Sequence, residues 1–215
     1  MKVASVGSGE DSFVSRPADN LSDRRISQSH ADKIQVPSHH TIDEPPLTMV
    51  LSPLKLTTCL WFDGQAEEAA NYYVSIFPNS KITHIQRYTE AGREHHGREP
   101  GSVLVVEFEL DGHHFVGLNG GPHFTFSEAV SFQIDCADQA EVDYYWDKLG
   151  AGGNPAKQQC GWLGDKFGLS WQVVPKALKE MLAREDGAAA GRVTEAMMKM
   201  KKMDIAELEK AFKGE

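Results

Sequence analysis

Apolar positions in this chain follow two kinds of spacing, and both begin abruptly near residue 54. Lys55 to Phe62 reads as a strand closed by Asp63-Gly64. Ala66, Ala69, Ala70, Tyr73 and Phe77 then recur at helical spacing until Pro78-Asn79 stops them. Lys81 to Tyr88 reads as a strand and Thr89 to Gly101 as a polar loop. Val103 to Leu110 alternates, with Glu107 and Glu109 on one face and Val106, Phe108 and Leu110 on the other. Asp111-Gly112 is a strong two-residue hairpin signal, and His113 to Asn119 returns.

The same order then recurs. Val130, Phe132 and Ile134 alternate along a strand, and Asp138 with Glu141 forms a capping box for a helix. Val142, Tyr145, Trp146 and Leu149 make its apolar stripe, with Gly150 as its C-cap. Gln65-Ala66-Glu67 at the first helix reappears as Gln139-Ala140-Glu141 at the second, which together with the element order predicts an internal duplication. The second unit is compressed, because its first hairpin strand must lie within Gly153 to Gln159, where the sequence is not strand-like. Cys160 to Pro175 reads as a strand, an Asp-Lys-Phe-Gly turn and a returning strand. On that last strand Leu169, Trp171 and Val173 face one way and Ser170, Gln172 and Val174 the other.

The pattern therefore predicts an α+β fold of two βαβββ modules over residues 53–175 and a helical tail over 176–215, where Asp204 and Glu207 mark one helix start. Residues 1–52 are rich in Ser, Asp, His and Arg and carry one aromatic, Phe13. They have too little apolar surface to offset ordering entropy, so this extension is expected to be disordered and dispensable. Met49 stands just ahead of the first strand, and translation starts either there or at Met1.

Composition narrows the classes. A net charge of −9 over 215 residues, with no local basic run, argues against nucleic acid or an anionic membrane as partner. No apolar stretch approaches the roughly 20 residues that cross a bilayer. Cys59, Cys136 and Cys160 are odd in number and widely spaced, which suits neither a disulfide scaffold nor a zinc site and points to a cytoplasmic, reducing location.

The wording of several segments is more specific. Leu60 to Ala69 (LWFDGQAEEA), Leu118-Asn119-Gly120-Gly121-Pro122, Cys160-Gly161-Trp162 and Ala196 to Met200 together resemble the PhnB-like branch of the vicinal-oxygen-chelate (glyoxalase/bleomycin-resistance) superfamily. Many of its members are labelled demethylubiquinone methyltransferase. The resemblance spans about Leu54 to Phe212 and implies paired βαβββ modules whose first, fourth, fifth and eighth strands supply metal ligands, usually His or Glu, to a cup in the curved sheet.

Here the eighth-strand ligand position falls on Gln172, a neutral amide that is a poor substitute for a carboxylate on a divalent cation. The apolar faces put Ser131, Gln133, Ser170 and Gln172 toward the cup, with Gly117 and Asn119 taking the corresponding phase on the fourth strand. On the first strand both Trp61 and Phe62 are large, and Thr58 is the polar contributor. With Trp162 as an aromatic wall, the expected ligand-binding set is Thr58, Asn119, Ser131, Gln133, Trp162 and Gln172, with no metal and no cofactor. Such groups orient a neutral or mildly polar molecule; alternatively they satisfy one another or water in a vestigial cup.

Other features have simpler readings. His113-His114 point to opposite faces of a strand and cannot chelate together, and His95-His96 lie in a solvated loop. Cys160 has no flanking base, and Met197, Met198, Met200 and Met203 suit a packed tail. A methyltransferase of the common class needs a glycine-rich turn between a strand and a helix. Gly120-Gly121-Pro122 is not followed by a helix and Gly150 to Gly153 does not follow a strand. Three functions stay open: a metal-free small-molecule binding protein, a lyase, isomerase or dioxygenase with a non-standard metal site, and a structural dimer. A homodimer is expected because the tail's apolar surface is costly to leave in water.

Overall fold

A computed structural model describes residues 56–215. The expectations for residues 1–52, including the choice between Met1 and Met49, lie outside the described residues.

The first module runs β1 (Thr58–Phe62), α1 (Ala66–Ile76), β2 (Lys81–Arg87), a one-turn helix α2 (Arg93–His96), β3 (Val103–Leu110) and β4 (His113–Asn119). Its sheet has the order β1-β4-β3-β2, with β1 parallel to β4 and the other pairs antiparallel. Asp111 and Gly112 both have positive φ, 44° and 81°, as a two-residue turn matched to strand twist requires. Ala66, Ala69, Ala70, Tyr73 and Ile76 are buried, so the helical stripe packs as its spacing predicts, against Val106, Phe108 and Leu110 of β3.

The second module runs β5 (Ser131–Cys136), α3 (Gln139–Gly150), β6 (Trp162–Gly164) and β7 (Ser170–Pro175), in the order β5-β7-β6. The β5–β7 pair is parallel, as β1–β4 is, so the duplication extends to the topology. The Asp138 carboxylate accepts from Glu141 N at 3.0 Å, and Glu141 reaches back to Ala137 N at 2.7 Å, so the cap forms one residue wider than the reciprocal box. Among the described residues this module has three strands where the first has four. Where a first hairpin strand was expected, Pro155–Lys157 is a 3₁₀ turn, initiated by Asn154 accepting from Ala156 N. Proline withholds a ladder donor there, and Gly152 and Gly153 weaken any strand. Val130, expected in the alternation of this strand, instead lies before β5 and is 67% exposed.

The missing strand's place beside β6 is taken by the tail. Cys160 N donates to Met200 O at 2.9 Å and Gly161 N to Lys201 O at 2.8 Å, while Gly161 O accepts from Val173 N on the inner side. Backbone donors that would otherwise form an open edge are thereby used. The tail contains α4 (Lys176–Leu182), α5 (Gly187–Met197) and α6 (Ile205–Lys213), the last capped by Asp204 accepting from Glu207 N at 3.1 Å. Met203 is 1% exposed, and the Gln139 side chain bonds both Met203 O and Ile205 N, tying α3 to the tail.

The aromatic core crosses from one module to the other. Phe115 of β4 meets Phe132 of β5 at 5.2 Å between ring centroids, and Tyr73 of α1 meets Trp171 of β7 at 5.5 Å. The helices α1 and α3 therefore cover the apolar sheet faces; among the described residues neither lies on the opposite, helix-free face, whose edge α4 reaches through Lys179 on Asp135.

Candidate ligand-binding site

On the helix-free face of the second sheet, four expected residues are brought together. Ser131 is opposite Ser170, Gln133 opposite Gln172, and Trp162 opposite Gln172, so Ser131, Gln133, Gln172 and Trp162 share one face. Gln172 Nε2 donates to Ser131 Oγ at 2.9 Å. Gln133 Nε2 turns to Asp135 Oδ1 at 2.8 Å, where Lys179 also bonds that carboxylate. Hydrogen bonding from Lys179 holds Asp135 below the usual carboxylate range.

Ser170 lies on this face too, opposite Ser131. It is 1% exposed, and its Oγ is, among the described residues, the buried side-chain polar atom without a hydrogen-bond partner. Its cross-strand neighbour Gly164 has no side chain, and Lys157 fills that space. A Cβ at Gly164 would lie 2.9 Å from Lys157 Cδ. Lys157 Nζ ends 2.7 Å from Glu128 Oε1, which lowers the Glu128 pKa through that hydrogen bond.

The first sheet corrects two expectations. Phe62 is opposite Asn119 and Thr58 opposite Phe115, so both Thr58 and Asn119 lie on the helix-covered phase rather than the cup phase. The Asn119 side chain is structural: Oδ1 accepts from Ala66 N at 2.9 Å, and Nδ2 donates to Val103 O at 3.0 Å. A buried strand end beside a helix start needs such a group, because the first helical N–H has no intrahelical acceptor. Gly117 belongs to the same phase, its Cβ position 3.2 Å from Ala66 Cβ. The helix-free phase instead carries Cys59, Trp61, Val105, Glu107, Val116 and Leu118. Trp61 is held there by Nε1 donating to Gly121 O at 2.8 Å and by an edge contact with Phe124 at 4.9 Å.

These donors do not fit the divalent metal that the fold family implies. The second-sheet set is two hydroxyls and two amides; one amide nitrogen is bonded to a serine and the other to an aspartate. Among the described residues, no three His, Cys, Asp or Glu side chains converge on one point. Neutral oxygens alone supply little of the charge that binds a hard dication.

The strongest polar cluster went unread in the sequence. Asp165, expected only as a turn residue, is 3% exposed and accepts four hydrogen bonds. Oδ2 takes Tyr73 OH at 2.7 Å and Trp171 Nε1 at 2.9 Å; Oδ1 takes Phe167 N at 2.9 Å and Leu169 N at 3.0 Å. Burial raises its pKa against the pull of these donors, and raises that of Tyr73 as well. The only available signal was a turn aspartate followed by a strand tryptophan, which is too common to single out a core position.

The family profile of 3-demethylubiquinone-9 3-methyltransferase matches residues 54–174. Among solved structures, the PhnB protein from Bacillus cereus is 37% identical over 56% of this chain and 98% of that one, with a TM-score of 0.48. The fosfomycin resistance protein FosX from Listeria monocytogenes is 17% identical over 64% and 100%, with a TM-score of 0.39. Lactoylglutathione lyase from Agrobacterium tumefaciens is 16% identical over 62% and 96%, with a TM-score of 0.32. None of the curated proteins matches the chain.

Proposed function

The chain belongs to the 3-demethylubiquinone-9 3-methyltransferase family, the PhnB-like branch of the vicinal-oxygen-chelate superfamily, and from that premise we propose that it is a metal-free small-molecule binding protein. The ligand lies on the helix-free face of the second sheet, oriented by Ser131, Gln133, Ser170 and Gln172 and walled by Trp162. The observation that carries this reading is the Ser170 hydroxyl, buried without a partner beside the Gln172–Ser131 pair and shut in by the Lys157 side chain over Gly164, which a ligand displaces to reach it. An unmet buried hydroxyl costs about 1–3 kcal/mol, and a ligand group that pairs with it recovers part of that. The amide-and-hydroxyl set selects a neutral or mildly polar molecule.

Methyl transfer by the common class has no support in this topology. Among the described residues none of the four strand-to-helix connections carries a glycine-rich phosphate cradle, and neither sheet is a doubly wound parallel one. The homodimer expected from the tail needs another surface, since the tail folds back on its own chain. Half-buried Val105, Val116 and Leu118, with Phe124 65% exposed, supply that surface on the first sheet. Three free cysteines among the described residues suit a cytoplasmic location.

The test has two arms. Elemental analysis of protein purified without chelator is expected to find no stoichiometric divalent metal. About one metal per chain, lost on Gln172→Ala, contradicts the metal-free reading and restores an enzyme with a non-standard site. A thermal-shift screen of small polar molecules is expected to yield a stabilising ligand, because binding only to the native state must raise apparent stability. Its affinity is expected to fall on Ser170→Ala and on Gln172→Leu; unchanged affinity in both variants means that the ligand sits elsewhere.

A further inference from the structure

A second concavity lies away from the helix-free face, over the ends of β1 and β4, where the loop after β2 folds back. It comprises two adjoining cavities, of about 580 Å³ and about 380 Å³, that share Tyr88, Gly97 and Arg98. The loop is built rather than merely draped. Tyr88 N donates to Ser102 O and Gly101 N to Tyr88 O, both at 2.8 Å, and Tyr88 OH donates to Asn119 O at 2.8 Å. The His96 ring packs tilted against Tyr88 at 4.5 Å between centroids, and His96 Nδ1 accepts from Arg98 N at 3.0 Å.

Each charge in the wall but one has its compensation in the protein. Arg98 is paired with Asp63 at 2.9 Å, and Glu99 with Arg93 at 2.8 Å. Glu67 sits in the first turn of α1, where the helix dipole favours a carboxylate. Arg87 is the exception. It donates Nη1 to Gly101 O at 3.0 Å, and among the described residues no carboxylate lies within ion-pair distance of it. That carbonyl contact fixes one side of the guanidinium beside the cavity and leaves its other N–H groups free.

We infer that this cleft is a binding site for a small organic monocarboxylate, its carboxylate on Arg87 and its apolar body along Tyr88 and Val103. A guanidinium fork matches a carboxylate with two parallel hydrogen bonds. The choice of a single negative charge follows from the walls. Glu67 and Glu99 both line the larger cavity, and what remains of their negative field repels a phosphate dianion about twice as strongly as a monoanion. The volume holds a molecule of aromatic-acid size beside the charged group. This site is independent of the second-sheet face and stands or falls separately from it.

Sodium benzoate is the probe, with benzyl alcohol and inorganic phosphate as comparisons, followed by amide chemical shifts of the full chain at constant ionic strength. Benzoate is expected to give saturable shifts at Arg87, Gly97 and Ser102. Benzyl alcohol is expected to give none there, and phosphate to bind more weakly than benzoate. Arg87→Gln is expected to weaken benzoate about tenfold through loss of a charge-assisted pair, Arg87→Lys less, and the distant Lys176→Gln not at all. Absence of saturable shifts overturns the site, as does equal binding of benzyl alcohol. Phosphate binding as tight as benzoate overturns the monocarboxylate assignment. If Arg87→Gln loses its native dispersion of signals, Arg87→Lys carries the test: unchanged benzoate affinity and shifts there refute the bidentate contact.

Discussion

Asp165→Asn is expected to lower folding stability by about 2 kcal/mol at neutral pH, although it removes a buried negative charge and scarcely changes volume. The reason is the count of donors. Oδ1 serves two backbone N–H groups and Oδ2 serves Tyr73 OH and Trp171 Nε1–H. An asparagine oxygen can keep the backbone pair, and the tyrosine hydroxyl can rotate to accept from the new amide nitrogen. The indole N–H cannot reverse, so one donor faces another in the core. A protonated Asp165 avoids this, because its Oδ2 can donate to Tyr73 while still accepting from Trp171. Neutral acid and amide are therefore not equivalent here. Because burial raises the Asp165 pKa, the stability this group contributes is fully present below the unfolded value of about 3.9 and is lost as pH rises through the folded value. The gap between wild type and Asp165→Asn is accordingly expected to narrow between about pH 4 and pH 7. Urea denaturation at both pH values measures it, and a gap that widens with pH refutes the assignment. Trp171→Phe in the Asp165→Asn background is expected to recover part of the loss, which a double-mutant cycle reads directly.

Asn119→Ala is expected to cost about 2–3 kcal/mol, from a buried N–H and a half-buried carbonyl left without partners at once. The N–H belongs to Ala66 at the start of α1 and the carbonyl to Val103 at the start of β3, so one amide fastens the helix to two strands of its own sheet. Asn119→Asp retains the acceptor but cannot donate to Val103 O, and is expected to be destabilising despite its small change in shape. Gln172→Leu, on the half-buried helix-free face, is expected to change stability by less than about 1 kcal/mol while weakening any bound ligand. Thermal and urea unfolding of the three variants separates these roles. A neutral Asn119→Ala paired with a strongly destabilised Gln172→Leu reverses the assignment of structural and binding residues.

The division of labour between chain and fold follows from how far each signal reaches. Strand alternation in Val103 to Leu110, the Ala66 to Tyr73 stripe, the Asp138 and Asp204 caps and the Asp111-Gly112 turn each depend on neighbours a few residues away, and each was legible in the sequence. The duplicated module order was legible too, because it is a repetition of those local signals. Phase within a short strand was legible only where one face was plainly apolar. That held for Ser131, Gln133 and Gln172, and failed for Thr58 and Asn119, where β1 carries large side chains on both faces and α1 covers the phase that was expected to be open. Three features needed the tertiary structure, since each joins residues remote in sequence. Asp165 became a core acceptor because Tyr73, 92 residues earlier, reaches it from the other module. Ser170 is shut off from solvent where Lys157 covers the gap above its cross-strand neighbour Gly164, and no partner among the described residues reaches its Oγ. The Met198 to Lys201 segment replaced a strand because the compressed second module left backbone donors at Cys160 and Gly161 with nothing else to bond.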